Sequence, residues 1–215
     1  MLSVVAVRGF RGLVVPGWMV LVTLGLTACT MPTDALTDVA DTDPVADTDP
    51  VADADGVLGT TSDGSDTNAY CSDVSDSPST WAAFEAEVLV LTNQHRVAGA
   101  VCGDEPYPPV DPLTMVAPLR CAARVHAQDM ADRGFFDHTN PDGLSAGDRA
   151  EIAGYDWWAW GENIALGQPS PAAVVAAWMG STGHCTNIMS DNFTEIGVGF
   201  YDGQYWVQVF GRPAE

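Results

Sequence analysis

Two imidazoles and two carboxylates stand out, each inside a short Gly-flanked or strand-like motif. His138 lies in Phe136-Asp137-His138-Thr139-Asn140-Pro141-Asp142-Gly143, and Glu162 in Gly161-Glu162-Asn163-Ile164. His184 lies in Gly183-His184-Cys185-Thr186-Asn187-Ile188-Met189, and Glu195 in Thr194-Glu195-Ile196-Gly197-Val198-Gly199. Neutral imidazoles with carboxylates suit Zn²⁺ or another borderline divalent ion. A Glu set among Gly, Ile and Trp is not there for solubility. It is desolvated and wants a cation or a hydrogen-bond donor. These groups are scattered along the chain, so spacing alone does not make them one site. The other two histidines, His95 and His126, fall in predicted helices and read as structural. Cys185 beside His184 invites a catalytic-thiol reading, but adjacent residues rarely present both side chains to one substrate atom.

The elements that must hold these groups follow from periodicity. A helix is expected over 80–97, with Thr80 as N-cap, Phe84, Val88 and Leu91 on one face, and Gly99 after it. Glu85 and Glu87 suit its N-terminal half. Pro106, Pro108, Pro109 and Pro112 force a loop. A second helix opens around Pro118 and closes at Gly134, burying Leu119, Ala122, Ala123, Val125, His126 and Met130. A short third helix fits 145–153. Ser170-Pro171 starts a fourth that ends at Gly180, with Val174, Val175 and Trp178 apolar. His138 and His184 both fall in turn-like sequence after helix ends. Strand-like runs cover 158–164, 193–201 and 204–210, the last two joined by the hairpin signal Asp202-Gly203. Helices followed by a small, mostly antiparallel sheet indicate an α+β layered domain.

The N-terminal part reads differently. Arg8 and Arg11 precede an apolar stretch over 13–28, too short for the roughly 20 residues of a membrane span and interrupted by Pro16 and Gly17. It ends in Leu26-Thr27-Ala28-Cys29, which resembles a lipoprotein signal. Cleavage before Cys29 and attachment of acyl chains such as palmitate would then tether the protein to a membrane. Residues 1–28 are therefore expected to be a signal peptide, with Cys29 lipidated. Thr30 follows the Cys, which leans toward the outer membrane or cell surface. Residues 29–79, in which Ala-Asp-Thr-Asp-Pro-Val at 40–45 recurs at 46–51, read as an acidic, disordered tether. Its Asp-rich end matches a calcium loop poorly, because Val51 and Ser62 stand where ligands belong. The folded domain is expected over 80–215.

Charge narrows the partners. The chain carries 29 acidic and 8 basic residues, all eight of them Arg, for a formal net charge of −21. Such a surface repels phosphate backbones, so nucleic acid is excluded as a partner class. With Cys29 set aside, Cys71, Cys102, Cys121 and Cys185 remain. An even number in an exported protein implies two disulfides. Three pairings are possible. The placement of Cys102 in a Pro-rich loop and of Cys185 beside the site favours Cys102–Cys185 with Cys71–Cys121.

From about Val88 to Gly211 the chain resembles the CAP superfamily, also called the SCP domain, in its bacterial exported branch. The resemblance rests on Leu91-Thr92-Asn93-Gln94-His95-Arg96, Asp137-His138-Thr139, and the Glu162, His184 and Glu195 motifs, in the family's order. It implies an α-β-α sandwich around a small antiparallel sheet. It also implies a cleft in which His138 and His184 hold a divalent cation, often zinc, with Glu162 and Glu195 lining the same cleft. A C-terminal cysteine-rich extension like that of the animal members is not expected.

Three functions are compatible with these features. The first is a lipid-anchored, extracytoplasmic, metal-binding module for a small apolar or envelope-derived ligand or a protein partner. Trp157, Trp158, Trp160 and Trp178 could line its groove, although core packing is the ordinary role for such residues. The second is a metal-dependent hydrolase, a peptidase or cell-wall enzyme, with Glu162 or Glu195 as the catalytic base. The third is a passive envelope protein whose His and Glu brace the fold.

Overall fold

The computed structural model describes residues 2–7 and 68–215, which belong to one compact unit. The signal-peptide and tether segments fall outside the described residues, except for Leu2–Val7 and the stretch from Asn68. Leu2–Val7 is a strand, β1. Ala69–Cys71 is a 3-10 turn and Ser72–Ser75 a short helix, α1. Residues 68–79, expected to belong to the tether, therefore carry defined elements. The Cys71–Cys121 disulfide explains this, because it fastens the turn to a core helix.

The main elements follow as α2 Ser79–Ala98, a small hairpin of β2 Ala100–Cys102 and β3 Glu105–Tyr107, β4 Thr114–Met115 and α3 Ala117–Arg133. Then come α4 Ala146–Ile152, β5 Trp157–Leu166, α5 Pro171–Met179, α6 Thr182–Met189, β6 Glu195–Tyr201 and β7 Tyr205–Pro213. The main sheet has the order β1-β5-β7-β6-β4. All its pairings are antiparallel except β4 with β6.

Strand alternation assigns the layers. Ile164, Val207 and Val209 pack with Leu119, Ala123, Ala127 and Met130 of α3 and Ala150 of α4. The opposite face packs Ile196, Val198, Trp206 and Phe210 with Val88, Val174, Val175, Trp178 and Ile188 from α2, α5 and α6. The result is the expected α-β-α sandwich. α3 lies unusually close to β6. A Cβ on Gly197 would sit 1.9 Å from the Leu119 carbonyl carbon, and one on Gly199 2.4 Å from that of Ala123. The two glycines of the Thr194–Gly199 motif are thus the floor on which α3 rests.

Most helix boundaries match the sequence cues. Gly134 closes α3 with a left-handed φ of 67°, Ser145 forms a capping box with Asp148, and Ser170 caps α5. Two readings need correction, the N-cap of α2 and the β6–β7 turn. α2 starts after Pro78 with no side-chain cap, so Thr80 is not its N-cap. The expected apolar face of α2 is there, with Val88 buried and Phe84 and Leu91 packed against the same core, and beside it the polar Glu85, Thr92 and Arg96 are buried too. The β6–β7 loop is Asp202–Gln204, with Gly203 at φ 80° and Gln204 at φ 65°, rather than a two-residue turn.

The polar stripe of α2 organises the fold. Glu85 is fully buried and accepts from Arg120 and Arg124 of α3 at 2.9 and 2.7 Å. Arg96 is buried and meets four carbonyls, those of Asp111, Ile188, Ser190 and Phe193. Asn93 both donates to and accepts from the Leu113 backbone. The motif Leu91–Arg96 is therefore a set of side-chain ties to the segments that follow it. Both disulfides, Cys71–Cys121 and Cys102–Cys185, are present as the placement argument favoured.

Candidate functional site

Glu162 is the centre of the site. Alternation along β5 turns Trp160, Glu162 and Ile164 toward α3 and α4, and the Glu162 side chain is fully buried there. His138 Nδ1 donates to Glu162 Oε1 at 2.7 Å, and Arg149 Nη2 donates to Oε2 at 2.7 Å. His126 Nε2 lies 3.9 Å from Oε1 and donates to the Asp137 carbonyl at 3.0 Å. Arg149 also donates to the carbonyls of His138 and Leu144, so one guanidinium holds both the carboxylate and the loop that delivers His138. Asn140 closes that loop by accepting from the backbone of Asp142 and Leu144.

These contacts set the charges. Burial works to raise the pKa of Glu162, but the Arg149 guanidinium outweighs it, with His126 and His138 adding, and holds the carboxyl down at about 2. Burial pushes His126 down to about 4, so near neutral pH it is an uncharged ring and its approach to Glu162 is not an ion pair. Arg149 is the cation that the desolvated Glu162 required. On the same sheet face, Tyr155 Oη donates to Glu195 Oε2 at 2.5 Å. Burial and that carboxylate raise the Tyr155 phenol pKa.

Acid should loosen this cluster in two stages. His126 ordinarily titrates at 6.5 and is held near 4 in the fold, so the unfolded chain binds more protons between those values. Glu162 is depressed from 4.5 to about 2, so its contribution is complete above 4.5 and is lost as pH falls toward 2. Each window is worth on the order of 3 kcal/mol. Urea midpoints measured in chelator should fall steadily from pH 6.5 to pH 3. A flat profile would contradict the assignment.

Glu162 and Asn163 divide the two faces between them. Asn163 points to the other layer, where its amide donates to the His184 carbonyl at 3.2 Å and to Gln208 Oε1 at 3.1 Å. Gln208 donates onward to Thr92 Oγ1, and Asn187 donates to Asn163 Oδ1 and to the Glu162 carbonyl. This buried network joins α2, β5, α6 and β7. His184 is buried on α6, a helix, and not in a turn as its Gly-flanked sequence suggested. Cys185 beside it is locked in a disulfide, which removes it as a nucleophile.

The four proposed site residues are thus brought to one sheet but not into one ligand cage. Glu162 binds His138 directly, while Glu195 is taken up by Tyr155. Among the described residues, no group of three or more His, Cys, Asp or Glu is placed to hold a metal ion. One feature does fit an ion. His138 turns Nδ1 to Glu162, and its other ring nitrogen, Nε2, is buried with no hydrogen-bond partner. A carboxylate that orients an imidazole in this way is typical of the outer shell of metal-binding histidines.

Sequence reasoning missed Arg149, Tyr155 and the structural closeness of His126. Arg149 left a trace: in a chain with eight Arg and no Lys, one sits between small residues on a short helix. The tryptophans do not form a groove. Trp178 is core, Trp160 packs on Gly147, and the half-buried Trp157 donates to the Gly147 carbonyl. Trp158 alone of the four is exposed, and it lines a cavity of about 590 Å³ with Thr194, Arg212 and Pro213.

A helix–sheet–helix sandwich with ordered His and Glu motifs, closed by two disulfides, defines an exported domain of an oxidising, extracytoplasmic compartment. Residues 89–210, more than half of the chain, match the cysteine-rich secretory protein family, and the chain belongs to that family, CAP. It is 40% identical over 134 residues to the uncharacterized protein YkwD of Bacillus subtilis strain 168, covering 62% of this chain and 49% of YkwD. The chain therefore spans about half the length of that relative. An extracellular protein containing an SCP domain from Bacillus anthracis superposes with TM-score 0.53 at 27% identity, over 61% of this chain and 41% of that one. An outer surface protein from Borrelia burgdorferi shares the fold, with TM-score 0.50 at 17% identity, over 65% and 96% of the two chains.

Proposed function

We propose that this protein is a lipid-anchored CAP module that holds a divalent cation, zinc by ligand type, and binds an envelope-derived or small apolar ligand or a protein partner. His138 and His184 would hold the ion. Glu162 would orient His138, and Glu195 would line the cleft. A bound ion would supply a Lewis-acidic centre for a ligand oxygen or carboxylate. The observation that carries this reading is the buried, unpartnered Nε2 of His138, fixed by the Glu162–Arg149 pair.

Catalysis is the weaker alternative. A general base works best with a pKa near the working pH, and Glu162 is held at about 2 with both carboxylate oxygens engaged. A bracing role alone does not explain the unpartnered Nε2. The anchor is supported by the Leu26–Cys29 signal, and the outer membrane or cell surface by Thr30 after it.

Metal analysis and native mass spectrometry test the reading. Wild type is expected to carry close to one ion per chain and to lose thermal stability in chelator. His138→Ala with His184→Ala is expected to lose the ion and the chelator response. Absence of metal in zinc-supplemented wild type would sink the metal site. Turnover of peptide or muropeptide substrates, abolished in Glu195→Gln, would favour the hydrolase instead.

A further inference from the structure

The outer edge of β5 is filled by a segment that export processing is expected to remove. Leu2–Val7 pairs antiparallel with Ala159–Ile164 without a break, from Leu2 opposite Ile164 to Val7 opposite Ala159. Val4 and Ala6 are half-buried and Val5 is exposed. The contact goes beyond the ladder. Asn187 of α6 donates its side-chain amide to the Val4 carbonyl at 3.3 Å. Gly161, opposite Val5, has no Cβ, and one there would stand 3.3 Å from the Val4 carbonyl oxygen and 2.8 Å from the Phe193 ring. Gly161 is kept small first by the Phe193 ring, and its missing Cβ also leaves the Val4 carbonyl unobstructed.

Without β1 this edge would be a bare row of backbone donors and acceptors, the usual template for strand addition. Residues 159–164 contain no Pro and no Lys, and the single charge, Glu162, is turned inward and neutralised. The edge thus lacks the common protections against pairing. It also lies between the two layers that carry the candidate ligands, with His138 on the α3–α4 side and His184 on α6.

We propose that the outer edge of β5 is a strand-accepting site: once cleavage before Cys29 removes Leu2–Val7, it binds an extended, uncharged polypeptide segment rich in small and β-branched residues, antiparallel to β5. The occupant's chemistry is that of Leu-Ser-Val-Val-Ala-Val, the segment seated there. Main-chain bonds supply affinity, and Gly161 with Asn187 fix the approach. The proposal goes beyond the metal reading and does not need an ion; it rests on processing at Cys29.

The test uses a fluorescent peptide of residues 2–7 and the full chain carrying Val4→Pro with Val5→Pro. Two adjacent prolines guarantee that at least one falls at a ladder donor. The opened variant is expected to bind the peptide saturably and at least tenfold more tightly than wild type, whose edge is filled. Peptide should slow hydrogen exchange at 159–164. Equal binding by both chains, no saturable binding by a folded variant, or undiminished binding of a peptide N-methylated at alternate residues would overturn the proposal. The exported chain recovered from the envelope gives a second route that needs no variant. A mass starting at Cys29, with peptide-dependent protection at 159–164, supports it. Retention of Leu2–Val7, or no protection, overturns it. Metal content measured on the same preparation separates failure of the ion site from failure of the strand site.

Discussion

Arg149→Leu should cost about 3–5 kcal/mol of unfolding free energy, because it leaves the Glu162 carboxylate buried with no full positive charge beside it. The substitution also frees the carbonyls of His138 and Leu144, so the loop carrying His138 should lose protection in hydrogen exchange. The cost lies in the unpaired charge more than in the lost attraction. The double variant Arg149→Leu with Glu162→Leu should therefore recover much of the loss, giving a coupling energy of roughly 1–3 kcal/mol in a double-mutant cycle. Arg149→Lys should fall between, since an ammonium keeps the charge but not the fork. Urea unfolding of wild type, Arg149→Leu, Glu162→Leu, the double variant and Arg149→Lys decides it. A loss below about 1 kcal/mol in Arg149→Leu would mean that Glu162 protonates or finds another partner.

Gly197→Ala should be more damaging still. The new methyl would overlap main-chain atoms of Leu119 at 1.9 and 2.1 Å, and no rotamer change moves a backbone carbonyl. α3 would have to lift off the sheet. That opens the packing of Leu119, Ala123, Ala127 and Met130, all fully buried, and draws His126 away from Glu162. Overpacking usually costs about 1–3 kcal/mol, and a rigid main-chain clash belongs above that range. The variant should fail to accumulate as folded protein. Gly180→Ala is the control: a Cβ there meets its neighbours at 3.4 Å or beyond, with φ at −75°, so its melting temperature should stay near wild type. A soluble Gly197→Ala with a wild-type melting curve would show that the α3–β6 spacing is not as close as described.

The two predictions show what each level of description contributes. Periodicity and caps located α2, α3, α4, α5 and the β6–β7 hairpin, because those signals are local. Gly134, Ser145 and Ser170-Pro171 act on their own turn of chain whatever the fold. Helix α6 escaped for the same reason. Its Gly183, Asn187 and Thr186 are poor helix formers, and packing of Cys185, Ile188 and Met189 against the sheet overrides that preference. The stripe Glu85–Thr92–Arg96 was likewise hidden. A buried charge looks like a surface charge until its partners, here Arg120, Arg124 and four carbonyls, are brought in from distant segments.

By itself, the sequence determined the family, the layered fold, the identity of the four motif residues and the expectation of two disulfides, while it favoured their pairing without fixing it. It did so because ordered short motifs, capping residues and cysteine positions keep their meaning without coordinates. Tertiary structure decided how those residues are used. Strand alternation on β5 sends Glu162 to His138 and Arg149 on one face, and sends Asn163 to the helix of His184 on the other. The proximity of α3 to β6 turns a Gly-x-Gly motif into a packing surface, and Tyr155 claims Glu195. Which carboxylate meets which cation depends on contacts between segments far apart in the chain, and only the folded sheet brings those segments together.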